Sequence, residues 1–410
     1  MAKPTIIKAS VLYDGATRLE NQKIVVENDK IIEVSAAGSV KADWEGIVTP
    51  AFIDAHSHIG MFREGEPQSE AEGNDQLSQI MPLSDPLNSV YFDDRAFRDA
   101  VEFGVLYSCI VPGSGNLVGG KARIIKNFAR HRNEALLADY GYKMALGYNP
   151  RGTTGWKGDR PTTRMGIYQM LEKRFDEVLA KRRKAELELA KKLADADKAA
   201  QKDGLSAAEL KKLREMATAE WTIALPSEDL AILDLLSGQK TVKVHVHKND
   251  DAYYLIDLVK KYNFKATADH LGDVNDKAVF DALAKAGIRI VYGPLGSLAY
   301  KVELKNEDYR NAGLLMKSKA EYGLMTDHPV ILSAALRDSL KFFLIQGMSE
   351  TAALNLITSG NARILGLQDQ LGSIKAGHSA SLLVWNREPL SLAAFPKMVM
   401  AEGSVIRKQS

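Results

Sequence analysis

Only one cysteine, Cys109, occurs in the 410 residues, so no disulfide can form within the chain, and this usage fits a reducing compartment. It stands in the apolar run Val105–Val111 and reads as a small buried hydrophobe. Charge of one sign is also lacking. The 54 basic and 52 acidic residues leave a formal charge of +2, too little to draw the chain to nucleic acid or to an anionic membrane surface. No apolar run approaches the roughly 20 residues of a membrane span, and the start, Met1-Ala-Lys-Pro-Thr-Ile-Ile-Lys, carries no apolar stretch of signal-peptide length. The expected setting is therefore cytoplasmic, and the expected partner is a small molecule. With 45% hydrophobic and 26% charged residues, the composition excludes disorder and fibrous repeats. The length suits one large domain plus a smaller unit.

The two ends of the chain share a texture of short β-prone runs and turns. Near the start these are Thr5–Tyr13, Lys23–Glu27 and Ile31–Val34, with turns at Asp14-Gly15 and Asn28-Asp-Lys; near the end they are Gly372–Gly377, Ala380–Trp385 and Lys397–Ile406. Residues 1–50 and 360–410 are expected to pair into one small β-sandwich domain. Between them, strand-like runs alternate with helical stretches: Phe52–His56, Leu106–Val111, Lys143–Gly147, Thr241–His245, Lys265–His270, Arg289–Gly293 and Tyr322–Asp327. Parallel strands joined by crossover helices follow, and at this length a (β/α)8 TIM barrel over 51–359 is the leading architecture. The segment 164–221, rich in Ala, Leu, Glu and Lys and broken at Asp203-Gly204, reads as a helical hairpin inserted in the barrel. Its second arm opens on the capping box Ser206-Ala-Ala-Glu209.

Six of the eight histidines fall where a strand-like run gives way to a loop, which in a barrel is the carboxyl end where active sites are built. In Asp54-Ala-His56-Ser-His58, the spacing of two places both imidazoles on one face of a strand. The same period recurs in Val244-His245-Val-His247, and Asp269-His270 and Met325-Thr-Asp327-His328-Pro329 close two further runs. Clustered neutral imidazoles with a carboxylate suit Zn, Fe, Mn or Ni. His247 stands between a ligand role and a substrate-facing one. His328 faces away from Asp327 in an extended strand and reads as structural, while His131 and His378 read as surface or turn residues.

These residues resemble the amidohydrolase superfamily and, within it, the imidazolonepropionase-like amidohydrolases. The resemblance runs over nearly the whole chain. Val48–Gly60, Pro112-Gly-Ser-Gly-Asn116, Ala145-Leu-Gly-Tyr-Asn-Pro150, Val244–His247, Asp269-His270, Thr326–Pro329 and Gly372–Gly377 are similar to that group's landmarks in order and spacing. It implies a distorted (β/α)8 barrel flanked by a β-sandwich. It also implies one divalent metal, Zn first, held by His56, His58, His245, His270 and Asp327. Asp327 takes a proton from the water activated there, His247 helps to stabilise the oxyanion, and a C–N bond of an amide or cyclic amide is hydrolysed. Segment 112–120 and the loop after Gly147 would shape the pocket, with Ser114, Asn116, Tyr148 and Asn149 toward substrate. A dimer or larger homo-oligomer follows from the resemblance alone.

The chain departs from this pattern in two places. Tyr148 stands where relatives of this type tend to carry glutamate, and the superfamily's carboxylated lysine has no counterpart at the fourth strand's end, because Lys143 lies five residues upstream, roughly 16 Å along an extended strand. A mononuclear site is therefore expected. His378 and Ser381 replace a lysine and an aspartate of the C-terminal motif, with little effect expected on chemistry. Two rival readings stay open: a catalytically silent binding or assembly protein, favoured by Tyr148, and a deaminase.

Overall fold

The computed structural model describes residues 3–297 and 301–409. Two sheets organise them. The first has seven strands in the order β15-β14-β13-β4-β1-β2-β3. These are β1 (Thr5–Tyr13), β2 (Arg18–Glu27), β3 (Lys30–Ala36), β4 (Trp44–Pro50), β13 (Leu382–Trp385), β14 (Pro396–Ala401) and β15 (Ser404–Lys408). The two chain ends meet where β13 runs antiparallel to β4. Ile7, Leu12, Ile24, Val48, Leu382 and Met398 are among the side chains of a core that belongs to this sheet alone. The sheet folds back on itself, since Ile31 N–H donates to the His378 carbonyl at 2.9 Å and Ala380 N–H to that of Asp29 at 2.8 Å. His378 is buried in the turn this creates, whereas His131 lies exposed beside Glu134.

The second sheet has eight strands in chain order: β5 (Phe52–Ser57), β6 (Val105–Ile110), β7 (Val118–Lys126), β8 (Leu136–Ala145), β9 (Thr241–Val246), β10 (Lys265–His270), β11 (Arg289–Tyr292) and β12 (Tyr322–Leu324). Parallel strands covered on both faces bury nearly every side chain, and all of β5 and β6 is buried. The expectation of parallel strands throughout needs one correction, because β7 runs antiparallel to both β6 and β8. Residues 111–117 separate β6 from β7, too few for a helical crossover, so the chain must return in the opposite sense.

The barrel's seam lies between β5 and β12. Asn361 bridges it from outside the strands: its Nδ2 donates to the carbonyls of Ile53 at 2.6 Å and Leu324 at 2.8 Å, and its Oδ1 accepts from Leu324 N–H at 3.0 Å. Gly323 is required beside it, since a Cβ there would collide with that amide oxygen. At the carboxyl end, Asp327 N–H donates to the His56 carbonyl and His58 N–H to that of His328, each at 3.1 Å. The backbone thus ties the two histidines and the aspartate together before any side chain takes part.

Helices Arg164–Asp203 and Ala207–Thr222 form the hairpin, and the capping box of Ser206 and Glu209 is present at the start of the second. Asp229, on the following helix Ser227–Leu236, anchors the first arm through Arg174 and Lys181. The helix Asn249–Tyr262 links β9 to β10 with Asp250 and Asp251 in its first turn and Lys260 and Lys261 in its last, an order that complements its macrodipole. No helix among the described residues is long and apolar enough to cross a membrane.

Candidate metal centre

Inward positions repeat every second residue along a strand, and β9 uses this to place Lys243 and His245 inside the barrel, with His247 just past its end. Register sets Lys143 of β8 beside Lys243, and Asp269 of β10 beside His245. Asp269 has no exposure, accepts from His56 Nδ1 at 2.6 Å and Thr267 Oγ1 at 2.6 Å, and lies 2.8 Å from Lys243 Nζ. Burial works to raise its pKa, but the Lys243 charge and the His56 hydrogen bond outweigh burial and hold it below the usual carboxylate range. It therefore carries the charge that neutralises Lys243 and fixes the His56 ring.

His56 and His58 are turned the same way. With Nδ1 of His56 engaged by Asp269 and Nδ1 of His58 by the Val111 carbonyl at 2.7 Å, each ring is left to present Nε2. Those atoms stand 3.4 and 3.0 Å from Asp327 Oδ1. Burial pushes the His56 imidazole down to about 4, so it is neutral and its Nε2 lone pair is free at neutral pH. Burial also works to raise the Asp327 pKa, but the hydrogen bond and charge of His58 win and keep this carboxylate ionised. Asp54 supports the arrangement from below: it accepts from Thr326 N–H at 3.1 Å and from the Thr326 hydroxyl, and burial pushes its own carboxyl up to about 6.

A second group lies beside the first. His245, His247 and His270 can each turn one ligand atom to within 4.8 Å of the others, as can His56, His58 and Asp327 among themselves. His270 links the two, with its ring centroid 5.1 Å from that of His56 and 4.1 Å from that of His245. Both of its ring nitrogens are buried with no hydrogen-bond partner among the described residues. Burial drives the pKa of all three imidazoles well below the ordinary value. Neutral imidazoles with ring nitrogens left without partners, Nδ1 of His245 and His247 and both of His270, gathered near a carboxylate fit a divalent cation. The backbone is strained at the same place: His270, Leu271 and Asp327 have φ of +84°, +58° and +53°, conformations that residues other than glycine seldom adopt and that gather at functional sites.

The five expected ligands and His247 lie in two neighbouring groups, His56, His58 and Asp327 and His245, His247 and His270, with His270 Nδ1 3.9 Å from Asp327 Oδ2 between them. His328 is buried on the far side of Asp327, and its Nδ1 accepts from Ser333 N–H at 3.2 Å. The residues expected toward substrate divide. Ser114 Oγ accepts from Lys143 Nζ at 2.9 Å, and Asn116 is held by Asp75 and Arg160. Asn149 Oδ1 accepts from Lys301 at 3.0 Å, and Tyr148 is 39% exposed.

Four contributors were not marked by the sequence. Lys143 is fully buried in the barrel, where burial pushes its ammonium down to about 8 against the pull of Asp269 and Asp327. The extended path of roughly 16 Å does not describe its placement, because the chain leaves β8 at Ala145 and turns at Gly147 with φ +80°. Lys243 carried a readable signal, a lysine in step with His245 inside an apolar run. Asp269 stood inside a motif, but only its neighbour His270 was assigned. Glu303 had no signal. It lies in the one-turn 3-10 helix Val302–Leu304 of the connection after β11, is buried, and brings Oε1 to 3.5 Å from His245 Nε2 and 4.0 Å from His247 Nε2. The space beside these groups, bounded by His247, His270, Lys301, Glu307 and Asp327, is about 10 Å³, room for one water. A wider cleft of about 730 Å³ beside Arg174 and Asp229 has no histidine among its described lining residues.

Comparison with known proteins agrees with this geometry. Residues 239–406 match the model of the amidohydrolase family. A curated relative, the amidohydrolase tasK of Hapsidospora irregularis, is 27% identical over 386 residues; the match takes in 87% of this chain but only 36% of that protein's length. A crystal structure of an amidohydrolase from Thermotoga maritima MSB8 superposes with a TM-score of 0.85 at 26% identity, covering 99% of this chain and 100% of that one. A prolidase complexed with N-methylphosphonate-L-proline shares the fold, at a TM-score of 0.59 and 13% identity over 99% of this chain and 100% of that one. An eight-stranded barrel with two histidine groups at its carboxyl end that could hold a metal ion is the arrangement of an α/β barrel protein. More particularly, the chain is similar to amidohydrolases, in sequence through its second half and in fold over nearly its whole length.

Proposed function

We propose that the chain hydrolyses a carbon–nitrogen bond of a small molecule, an amide or cyclic amide, with Asp327 as proton acceptor. The observation that carries this reading is the convergence of two oriented Nε2 atoms, from His56 and His58, on one Asp327 oxygen in a buried setting. His56, His58 and Asp327 would hold a divalent cation, Zn first and Fe, Mn or Ni as alternatives. Such an ion, when bound, would lower the pKa of a water toward neutrality.

The chain's own residues do the rest. Asp327 would take a proton from the attacking water, whose oxygen adds to the carbonyl carbon, and return it to the nitrogen as the C–N bond breaks, a role that needs a carboxylate ionised at neutral pH. His247, buried beside the same space, is placed to donate to the carbonyl oxygen as charge gathers there. Ser114, Asn116, Tyr148 and Asn149 stay the residues proposed toward substrate, with Ser114 held by Lys143, Asn116 by Asp75 and Arg160, and Asn149 by Lys301. A cytoplasmic homo-oligomer remains part of the proposal.

A panel of N-acyl amino acids, dipeptides and cyclic amides tests this reading. Turnover of at least one member is expected, abolished by a chelator and restored by added cation. Ammonia released from a ring carbon would move the assignment to a deaminase. A metal-loaded protein inert toward the whole panel would favour the silent binding module.

A further inference from the structure

We infer that the helical hairpin is a docking arm for a second copy of this chain, the first arms of the two copies lying antiparallel across a shared face. This gives the homo-oligomer of the reading above its contact surface and rests on that part of the reading alone.

The hairpin lacks a core of its own. Its first arm is 40 residues long, about 60 Å at 1.5 Å per residue. The large side chains that arm buries, Ile167, Leu171, Phe175 and Val178, all lie near its start and belong to the barrel core. Beyond Lys181, where Asp229 holds it, the two arms bury only Ala185, Ala196 and Ala217 among the described residues. Three methyl groups offer little apolar burial against the entropy of ordering two helices, and Leu187, Leu213, Met216 and Ile223 stay exposed.

Charge selects the occupant. Glu177, Lys184, Glu188, Lys191, Asp195 and Lys202 are exposed and recur at steps of three, four or seven residues, so they form one stripe along the first arm. Their signs alternate, and reversing the helix about a point between Leu189 and Ala190 inverts every one of them. An antiparallel copy centred there sets Lys184 against Asp195, Glu188 against Lys191 and Glu177 against Lys202, each pair made twice by symmetry. Within the chain, Glu177 and Asp195 reach a lysine only at 3.9 and 4.0 Å, and the other four make no ion pair among the described residues. Lys181, which would meet Lys198 of the second copy, is turned to Asp229 instead.

Exposed apolar residues flank the stripe. Lys192 pairs with Glu220 across the hairpin. Lys192 lies four residues after Glu188 and three before Asp195, and Met216 and Ile223 lie four before and three after Glu220, so all of them share the face on which the arms are joined. A second copy seated there buries both apolar side chains in a four-helix bundle. Exposed ion pairs contribute little singly, so the apolar cover supplies affinity while the charges fix partner and direction.

The test is sedimentation of the full chain over a concentration series, where wild type should run at twice the mass of one chain. Lys184→Glu/Lys191→Glu makes the stripe acidic up to Lys202, and Glu188→Lys/Asp195→Lys makes it basic after Glu177. Either variant alone should self-associate about tenfold or more weakly, since like charges then face each other, and an equimolar mixture should restore dimers with one copy of each. Mixing leaves the charge pairs within each helix unchanged, so recovery reports contact between chains. Met216→Ser/Ile223→Ser, at positions 53% and 81% exposed and so harmless to folding, should weaken the wild-type dimer by about tenfold as well. A wild type that stays monomeric overturns this inference and the homo-oligomer together. Dimers indifferent to the charge variants or to Met216→Ser/Ile223→Ser, or a mixture that stays monomeric, overturn this surface alone. None of these residues lies in the barrel, so turnover measured on the same samples keeps a failure of the hydrolase reading separate.

Discussion

Asp327→Asn should lower turnover by about 10²–10⁴-fold, the range associated with loss of a positioned general base, while the chain keeps its fold. The substitution preserves shape but gives up the capacity to accept a proton. Its structural cost is expected to be small, because the loop that carries it is held by main-chain bonds, Asp327 N–H to the His56 carbonyl and His58 N–H to that of His328, and by Thr326 on Asp54. None of these uses the Asp327 side chain. Steady-state kinetics on whichever panel member is turned over, paired with thermal unfolding, decides the matter. Near-normal turnover would remove Asp327 from the mechanism, and a large drop in melting temperature would make its role structural.

Asp269→Asn should act on stability and cation affinity together. It strands the Lys243 ammonium beside a neutral amide, in a place where neither partner is exposed, and breaking a buried ion pair from one side costs about 3–5 kcal/mol. It also weakens the acceptor of His56 Nδ1, and loss of such an orienting partner lowers metal affinity by about 10–100-fold. Denaturant unfolding reads the first effect and cation titration the second. Adding Lys243→Met to Asp269→Asn should recover much of the stability, since no buried charge then lacks a partner, but it should leave the affinity low because His56 stays unguided. Recovery of both by the double variant would show that Asp269 does no more than neutralise Lys243.

The ordered strand ends were legible because a ligand-bearing barrel strand prints two signals at once: an apolar run for the wall and a polar residue in step with it at the end. His56, His58, His245, His247, His270 and Asp327 all carry that signature, and they lie in the two groups that could hold an ion. The two chain ends could be paired because their short β-prone runs match in texture. The antiparallel strand β7 was missed because Gly119, Gly120, Lys121 and Arg123 interrupt its apolar alternation. Its partners, not its own pattern, place it in the sheet. Glu303 was beyond reach for a different reason: a loop residue's burial is decided by where the loop settles, and nothing within Lys301-Val-Glu303-Leu sets it apart from a solvated stretch. The grouping of these side chains in two sets of three depends on side-chain directions that strand period alone leaves open.

The most direct test of the central claim is elemental analysis of the full chain, purified without added metal and dialysed. The account predicts divalent cation retained at one equivalent or more per chain, with the occupancy of the first site lost in His56→Ala/His58→Ala. A chain that holds no divalent cation even after equilibration with Zn²⁺, or a double variant that retains the wild-type amount, would contradict it.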